Sequence, residues 1–177
     1  DFTLALGFAV FGIFMLIALL FNSYSQPLLV ILSIPFALIG VVWAFFFHSE
    51  PFSFFVLLGV LALVGVVVND SLVMISHLNF IKQSQDKDSL SIQWIAMGAK
   101  DRLRAVILTT LTTLAGVLPL IYGFGGKDAF LQPMVMALGY GLLFGTFVTL
   151  ILLPCLYSLN LDLINWIKKI KNSLLKT

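Results

Sequence analysis

Asp70 is an acidic residue inside an otherwise apolar run, GVVVNDSLVMISH, where it directly follows Asn69. A carboxyl group with little water around it favours its protonated form, so it can take up and release a proton as its surroundings change. Proton transfer is therefore the chemistry that this position indicates. In a helix, Asp70 shares one stripe with His77, whereas Asn69 lines up with Ser76.

A second interpretation gives Asp70 a structural task. A protonated carboxyl can hydrogen-bond across helices and hold them together. We favour the functional interpretation, because an ionisable side chain near the centre of a bilayer costs about 2.5 to 3.5 kcal/mol on insertion scales and usually has a task there.

A further group of polar residues lies in the run DRLRAVILTTLTTLAGVLP. Arg102 and Thr109 are seven residues apart and therefore fall on one face of a helix. Arg102 either takes part in proton entry or exit, or anchors the helix at the membrane surface, where its long side chain reaches water. For Thr112 and Thr113 we expect hydroxyl bonds to the carbonyl one turn back.

The composition requires a membrane around these residues. Of the 177 residues, 60% are hydrophobic and only 10% are charged, whereas a soluble domain is roughly 45 to 50% apolar and about 25% charged. The single cysteine has no partner within the chain, and a net charge of +2 argues against nucleic-acid binding. No HExxH or P-loop motif is present, so we expect no metal site and no cofactor.

Five apolar stretches approach the roughly 20 residues that a bilayer-crossing helix needs. We place these helices at about 4–21, 28–47, 52–81, 102–122 and 134–159. A short amphipathic helix is expected at about 88–100, either on the cytoplasmic surface or packed as a cap under the bundle, and a basic cytoplasmic tail is expected at 166–177. The sequence therefore predicts an all-α membrane protein, a polytopic bundle of five transmembrane helices in one domain over residues 1–177.

Small residues in the last apolar stretch predict close helix packing. Gly141 and Gly145 form a small-xxx-small pair, a pattern that lets a neighbouring helix backbone approach. This pattern is common in membrane bundles and does not by itself identify a function.

The basic residues predict the orientation. Nine of the ten Lys and Arg residues lie in the connection after the third helix or in the tail, and Lys127 lies on the opposite side. Basic residues concentrate in cytoplasmic loops, so we expect a cytoplasmic C-terminus and a periplasmic N-terminus. A first helix that starts outside requires something upstream to insert it. We therefore expect the chain to be a fragment of a longer polytopic protein, or to be paired with a separately made subunit.

Two more motifs, NSYSQPLLVILSIPFALIG and a last helix ending in LPCLY, accompany the GVVVND and RLR...LTTLTTLAGVLPL runs in this order. Together they resemble the C-terminal transmembrane half of resistance-nodulation-division (RND) efflux transporters, hydrophobe/amphiphile branch. By that resemblance the five helices are numbers eight to twelve of a twelve-helix domain, in the bacterial inner membrane.

The resemblance implies an exporter of hydrophobic or amphiphilic substrates driven by proton antiport, hence a secondary transporter and not an enzyme. It implies a carboxylate pair in the N-terminal half, with Asp70, Asn69, Arg102 and Thr109 of this chain as partners in the proton relay. It further implies a homotrimer that works with a periplasmic adaptor and an outer-membrane channel. Many members carry Lys at the position of Asn69 and Asn at the position of Asp70, so that here an amide replaces the ammonium and a carboxylate replaces the amide.

An alternative of another class is a non-transporting membrane module, either a sterol-sensing-like domain or an assembly bundle. In that case the polar residues inside the membrane would only fix how the helices pack.

Overall fold

The computed structural model describes residues 2–84, 92–124, 126 and 128–174. Within these residues the chain forms five helices: α1 (Phe2–Phe21), α2 (Ser25–His48), α3 (Phe54–Ser84), α4 (Ile92–Tyr122) and α5 (Leu131–Leu174). By length and composition, α2 to α5 can each cross a membrane, and α1 contains a shorter apolar helix at Gly7–Phe21. The all-helical membrane fold is therefore confirmed.

The helix α5 is the centre of the bundle. It packs against α2, α3 and α4, whereas α1 lies at the edge and contacts α2. Leu142 and Leu153 of α5 are almost completely buried. Burial of apolar side chains against three neighbours at once makes α5 the element that holds the others in place.

Glycines on α5 allow this close packing. A Cβ added to Gly145 would lie 2.9 Å from the Cβ of Ala37 on α2 and 3.2 Å from Cγ2 of Val67 on α3. A Cβ on Gly141 would collide with Leu63 of α3 and lie 2.8 Å from Val41 on α2. The small-residue pair thus lies where three helix backbones come together.

Two other glycines lie at the same interfaces, and the sequence pattern did not indicate their role. A Cβ on Gly40 of α2 would collide with Phe144, and one on Gly59 of α3 would collide with the backbone carbonyl of Met134. Each of these glycines faces α5 from a neighbouring helix, so close contact is achieved from both sides.

The start of α4 differs from the sequence prediction. Residues 92–100, the described part of the amphipathic helix expected at 88–100, continue without a break into the membrane-spanning part of α4; residues 88–91 lie outside the described residues. Trp94 and Ile95 are buried, and a Cβ on Gly98 would lie 2.8 Å from Cδ2 of Leu78 on α3. The apolar face of this segment therefore packs on the bundle, and no proline interrupts the helix before Pro119.

The end of α5 also differs from the prediction. The helix runs to Leu174, well beyond the expected end at 159, so most of the predicted basic tail at 166–177 is helical. After Pro154 the segment contains neither proline nor glycine, so nothing in its sequence terminates the helix.

Candidate functional site

Asp70 and Asn69 lie at the boundary between the packed and the open face of α3. Asp70 is half-buried, and Asn69 is exposed. Within the described part of the chain, neither side chain is joined to another by a hydrogen bond or an ion pair. Both side chains are therefore available to a partner outside this bundle.

One and two turns beyond Asp70, the residues of α3 are again buried on the packed face and exposed on the open face. Met74, on the stripe of Asp70, is 2% exposed, and His77 is half-buried. Ser76, on the stripe of Asn69, is exposed. The open face of α3 thus carries polar side chains along one edge.

Contacts with α5 define how α3 and α4 run relative to each other. Gly145 of α5 lies against Val67 of α3, and Gly141 lies against the earlier Leu63, so α3 and α5 run in the same direction. Two contacts between α5 and α4 show the opposite order, because Gly139 lies against Ile121 and Thr146 bonds Thr110. The helices α3 and α4 are therefore antiparallel.

This arrangement gives the relative depth of the predicted site residues. Asp70 lies three residues beyond Val67, which is level with Gly145, and the neighbouring Thr146 contacts Thr110 of α4. Asp70 and Thr109 are consequently at nearly the same depth in the bundle. Arg102 lies seven residues before Thr109, which at 1.5 Å per residue is about 10 Å nearer the start of α4.

The local partners of Arg102 and Thr109 differ. The hydroxyl of Thr109 donates to the carbonyl of Val106, 2.9 Å away in the same helix, and the side chain is exposed. Arg102 is half-buried, and its Nε is buried with no hydrogen-bond partner among the described residues. The structure therefore places Thr109 level with Asp70, but Arg102 lies about two turns away.

Of the four threonines in the α4 run, Thr110 makes a contact between helices. Its hydroxyl lies 2.8 Å from that of Thr146 on α5, and it also donates to the carbonyl of Val106. The hydroxyls of Thr112 and Thr113 bond carbonyls of their own helix, as expected. The sequence pattern did not distinguish Thr110 because its partner lies 36 residues away.

A polar network that the sequence reading did not single out joins α2, α3 and α5 near the end of α3. The side-chain amides of Asn79 and Gln26 exchange two hydrogen bonds of 3.1 and 3.0 Å. The hydroxyl of Tyr157 donates to the same oxygen of Asn79 at 2.8 Å. Asn79 is therefore the node that links three helices through their side chains.

The opposite end of the bundle carries a second polar group. Nδ1 of His48 lies 2.8 Å from the carbonyl of Ala44, to which it donates. Nε2 of the same ring lies 3.3 Å from the hydroxyl of Tyr140, which in turn lies 3.3 Å from that of Tyr122. These contacts join α2, α5 and α4.

The turn before α5 is closed by Asp128. Its Oδ1 accepts bonds from the backbone N–H of Phe130 at 2.8 Å and of Leu131 at 3.1 Å. These two bonds stabilise the carboxylate and lower the pKa of Asp128 below its ordinary value of 3.8. Among the described residues, no group of three or more His, Cys, Asp or Glu side chains could hold a metal ion.

The model of the AcrB/AcrD/AcrF family matches residues 1–160. The chain is 30% identical over 150 residues to the multidrug resistance protein MdtC of Erwinia tasmaniensis. It is 34% identical over 151 residues to the cobalt-zinc-cadmium resistance protein CzcA of Cupriavidus metallidurans. These alignments cover 84% and 85% of this chain but only 14% of each relative.

Proposed function

This chain belongs to the AcrB/AcrD/AcrF family of RND proteins, and we propose that it is the transmembrane part of a proton-driven exporter that supplies half of the proton relay. The observation that carries the proposal is the position of Asp70. A carboxyl group lies half-buried within a membrane-spanning helix, at the edge of a face that no other described helix covers.

The open face of α3 is the surface on which we propose that the N-terminal half of the transporter packs. Asn69 is exposed on this face beside Asp70, and both would meet the carboxylate pair that the family resemblance implies there. Asp70 would take up and release protons, which changes the charge at the interface and favours one arrangement of the two halves over the other. Asn69 cannot change charge, so its amide would donate and accept hydrogen bonds.

The helix α4 supplies the other two relay residues. Thr109 lies at the depth of Asp70, where its hydroxyl can orient a water or a carboxylate. Arg102 lies about 10 Å nearer the start of α4, with an Nε that has no hydrogen-bond partner in the described ranges. Its positive charge would stabilise a carboxylate of the other half when that group has lost its proton.

We propose two candidate substrate classes for the whole transporter. Hydrophobic or amphiphilic compounds follow from the hydrophobe/amphiphile resemblance and from the multidrug relative. Divalent cations follow from the cobalt-zinc-cadmium relative, which is 34% identical over 151 residues. We propose further that the transporter is a homotrimer in the inner membrane, joined to a periplasmic adaptor and an outer-membrane channel, with this chain's C-terminus in the cytoplasm.

The relay is tested by Asp70→Asn in the full-length protein at matched membrane levels. Export is measured in parallel for ethidium, an amphiphilic cation, and for Zn²⁺, and proton movement is followed with a pH-sensitive dye. We expect the variant to lose export and coupled proton movement, because an amide does not titrate. Asp162→Asn is the matched control, since it makes the same chemical change on an exposed side chain near the end of α5.

Thermal unfolding of Asp70→Asn separates the relay from a packing role. A relay residue predicts lost export with an unchanged unfolding temperature, whereas a packing residue predicts a lowered unfolding temperature. Full export by Asp70→Asn would remove Asp70 from the relay.

A further inference from the structure

Polar residues recur every seven positions along the open edge of α3. Seven residues are close to two helical turns, so such residues lie above one another on the helix surface. We call this set the polar strip; its members are Asn69, Asp70, Ser76, His77 and Gln83. Each is exposed or half-buried.

The polar strip runs in one direction only. Seven residues before Asn69, the same edge carries the exposed Ala62, and Gly65 and Val66 lie between. From Asp70 towards the start of α3 the edge is therefore apolar. Towards the end of α3 a polar residue recurs every two turns, with the exposed Val73 and Phe80 between, so the more polar route from Asp70 leads to that end, which we propose to be cytoplasmic.

The strip reaches both a partner on α4 and an opening to water. Nε2 of His77 lies 3.7 Å from Oδ2 of Asp101. Nε2 of His77 is buried and makes no hydrogen bond to a described residue, whereas the side chain of Asp101 is 64% exposed, so the pair joins a buried nitrogen to a carboxylate in contact with solvent. A groove of about 770 Å³ is lined by Ser76 and Gln83 and gives water access to these two members of the strip.

We infer that the polar strip is the exit route of the transported proton, and that His77 and Asp101 form its last station. The proton leaves the carboxyl of Asp70, which becomes a carboxylate, and crosses roughly 10 Å through water along the strip. Nε2 of His77 takes the proton, and the ring becomes an imidazolium. The carboxylate of Asp101 then accepts that proton and gives it to bulk water, which returns the ring to its neutral form.

The groups around His77 are consistent with this cycle. The carboxylate of Asp101, 3.7 Å from Nε2, stabilises the protonated ring, and Arg102, the next residue on α4, carries the opposite charge. The other polar neighbours at this end of α3 carry no charge. Tyr157 of α5 and Gln26 of α2 both bond Asn79, which lies two residues beyond His77. Among the described residues, Asp101 is therefore the charged side chain that pairs with His77.

This inference rests on the proposed function, so its test includes the Asp70 variant. Inverted membrane vesicles with the full-length protein expose the cytoplasmic face to the bath, whose pH is varied from about 5 to 8, the range in which imidazoles titrate. Proton flux is measured with whichever of ethidium and Zn²⁺ the wild-type protein transports. His77→Gln should lower the flux about tenfold or more and alter its dependence on bath pH, with an unchanged unfolding temperature. His48→Gln, the same change at the other end of the bundle, should leave both properties unaltered.

Asp101→Asn supplies an independent result if His77→Gln does not accumulate in the membrane. It should lower the flux, and the double variant should be no slower than the slower single variant, because both residues serve one step. Loss of flux in Asp70→Asn together with a normal flux and pH profile in His77→Gln, or in Asp101→Asn, would overturn the exit route and leave the proposed function standing. Normal flux in Asp70→Asn would overturn the proposed function itself.

Discussion

The hydroxyl of Ser33 on α2 lies 3.1 Å from the hydroxyl of Ser71 on α3, and Ser71 directly follows Asp70. Both serines are buried. Ser33 donates to the carbonyl of Val30 at 2.6 Å, so the proton between the two hydroxyls comes from Ser71. This contact sets the rotation of α3 about its axis. Because successive residues are 100° apart, it directs Asp70 and Asn69 away from α2 towards the open face.

Loss of the serine contact should destabilise the bundle modestly. Hydrogen bonds between helices in a bilayer contribute about 0.6 kcal/mol on average and about 1.7 at most. We expect Ser33→Ala and Ser71→Ala each to lower the free energy of unfolding within this range, with a coupling of about 0.6 kcal/mol in a double-mutant cycle. Thr112→Ala, at an exposed position that bonds its own helix, is the control. Strictly additive effects of the two serine variants would contradict the contact.

Enlarging Gly145 should be more costly than losing a hydrogen bond. A methyl group there would lie 2.9 Å from Cβ of Ala37, which cannot rotate away. Overpacking of a well-filled core costs about 1 to 3 kcal/mol, so Gly145→Ala should lower the unfolding temperature of the full-length protein measurably. Gly12→Ala is the matched control, because a Cβ on Gly12 meets nothing within 4 Å and alanine favours a helix. Equal unfolding temperatures for the two variants would contradict the close packing at Gly145.

The helical class and the family could be predicted because both depend on local sequence. Long apolar stretches predict membrane-spanning helices whatever their partners are, and the GVVVND and RLR...LTTLTTLAGVLPL runs indicate the family by their order along the chain. The position where α4 begins could not be predicted in the same way. The segment around Trp94 is amphipathic whether it lies on the membrane or packs under the bundle. The close approach of Gly98 to Leu78 of α3 shows that it packs on the bundle.

For the polar residues of the site, too, the sequence alone predicts only part of the arrangement. The sequence marks Asp70 as unusual because a charge in an apolar run is rare. It does not show that Asn79, near the helix end, bonds Gln26 and Tyr157, since those partners are 53 and 78 residues away. Pairings of this kind depend on which helices become neighbours, and spacing within one helix carries no information about that.

The amide node at Asn79 should contribute more to stability than any one of its bonds. Asn79→Ala leaves the buried hydroxyl of Tyr157 and the half-buried amide of Gln26 without these partners, and an unsatisfied buried group costs about 1 to 3 kcal/mol. Tyr157→Phe removes one bond and should cost about 1 kcal/mol. We therefore expect thermal unfolding to rank the proteins as wild type, Tyr157→Phe and Asn79→Ala in falling order. A reversed order of the two variants would show that the amide pair contributes little.

Asp128 should make the start of α5 sensitive to acid. Because the N–H groups of Phe130 and Leu131 lower the pKa of its carboxyl, the folded state binds a proton less tightly than the unfolded state does. The stabilisation is therefore complete above the ordinary value of 3.8 and is lost as the pH falls through the lowered pKa.

Hydrogen-exchange protection factors of those two amides should fall over this acidic range in the wild-type protein. In Asp128→Asn they should stay constant, because an amide oxygen keeps the bonds but does not titrate. In Asp128→Ala they should be low at every pH, and an acid response in Asp128→Asn equal to that of the wild type would assign the effect to another group.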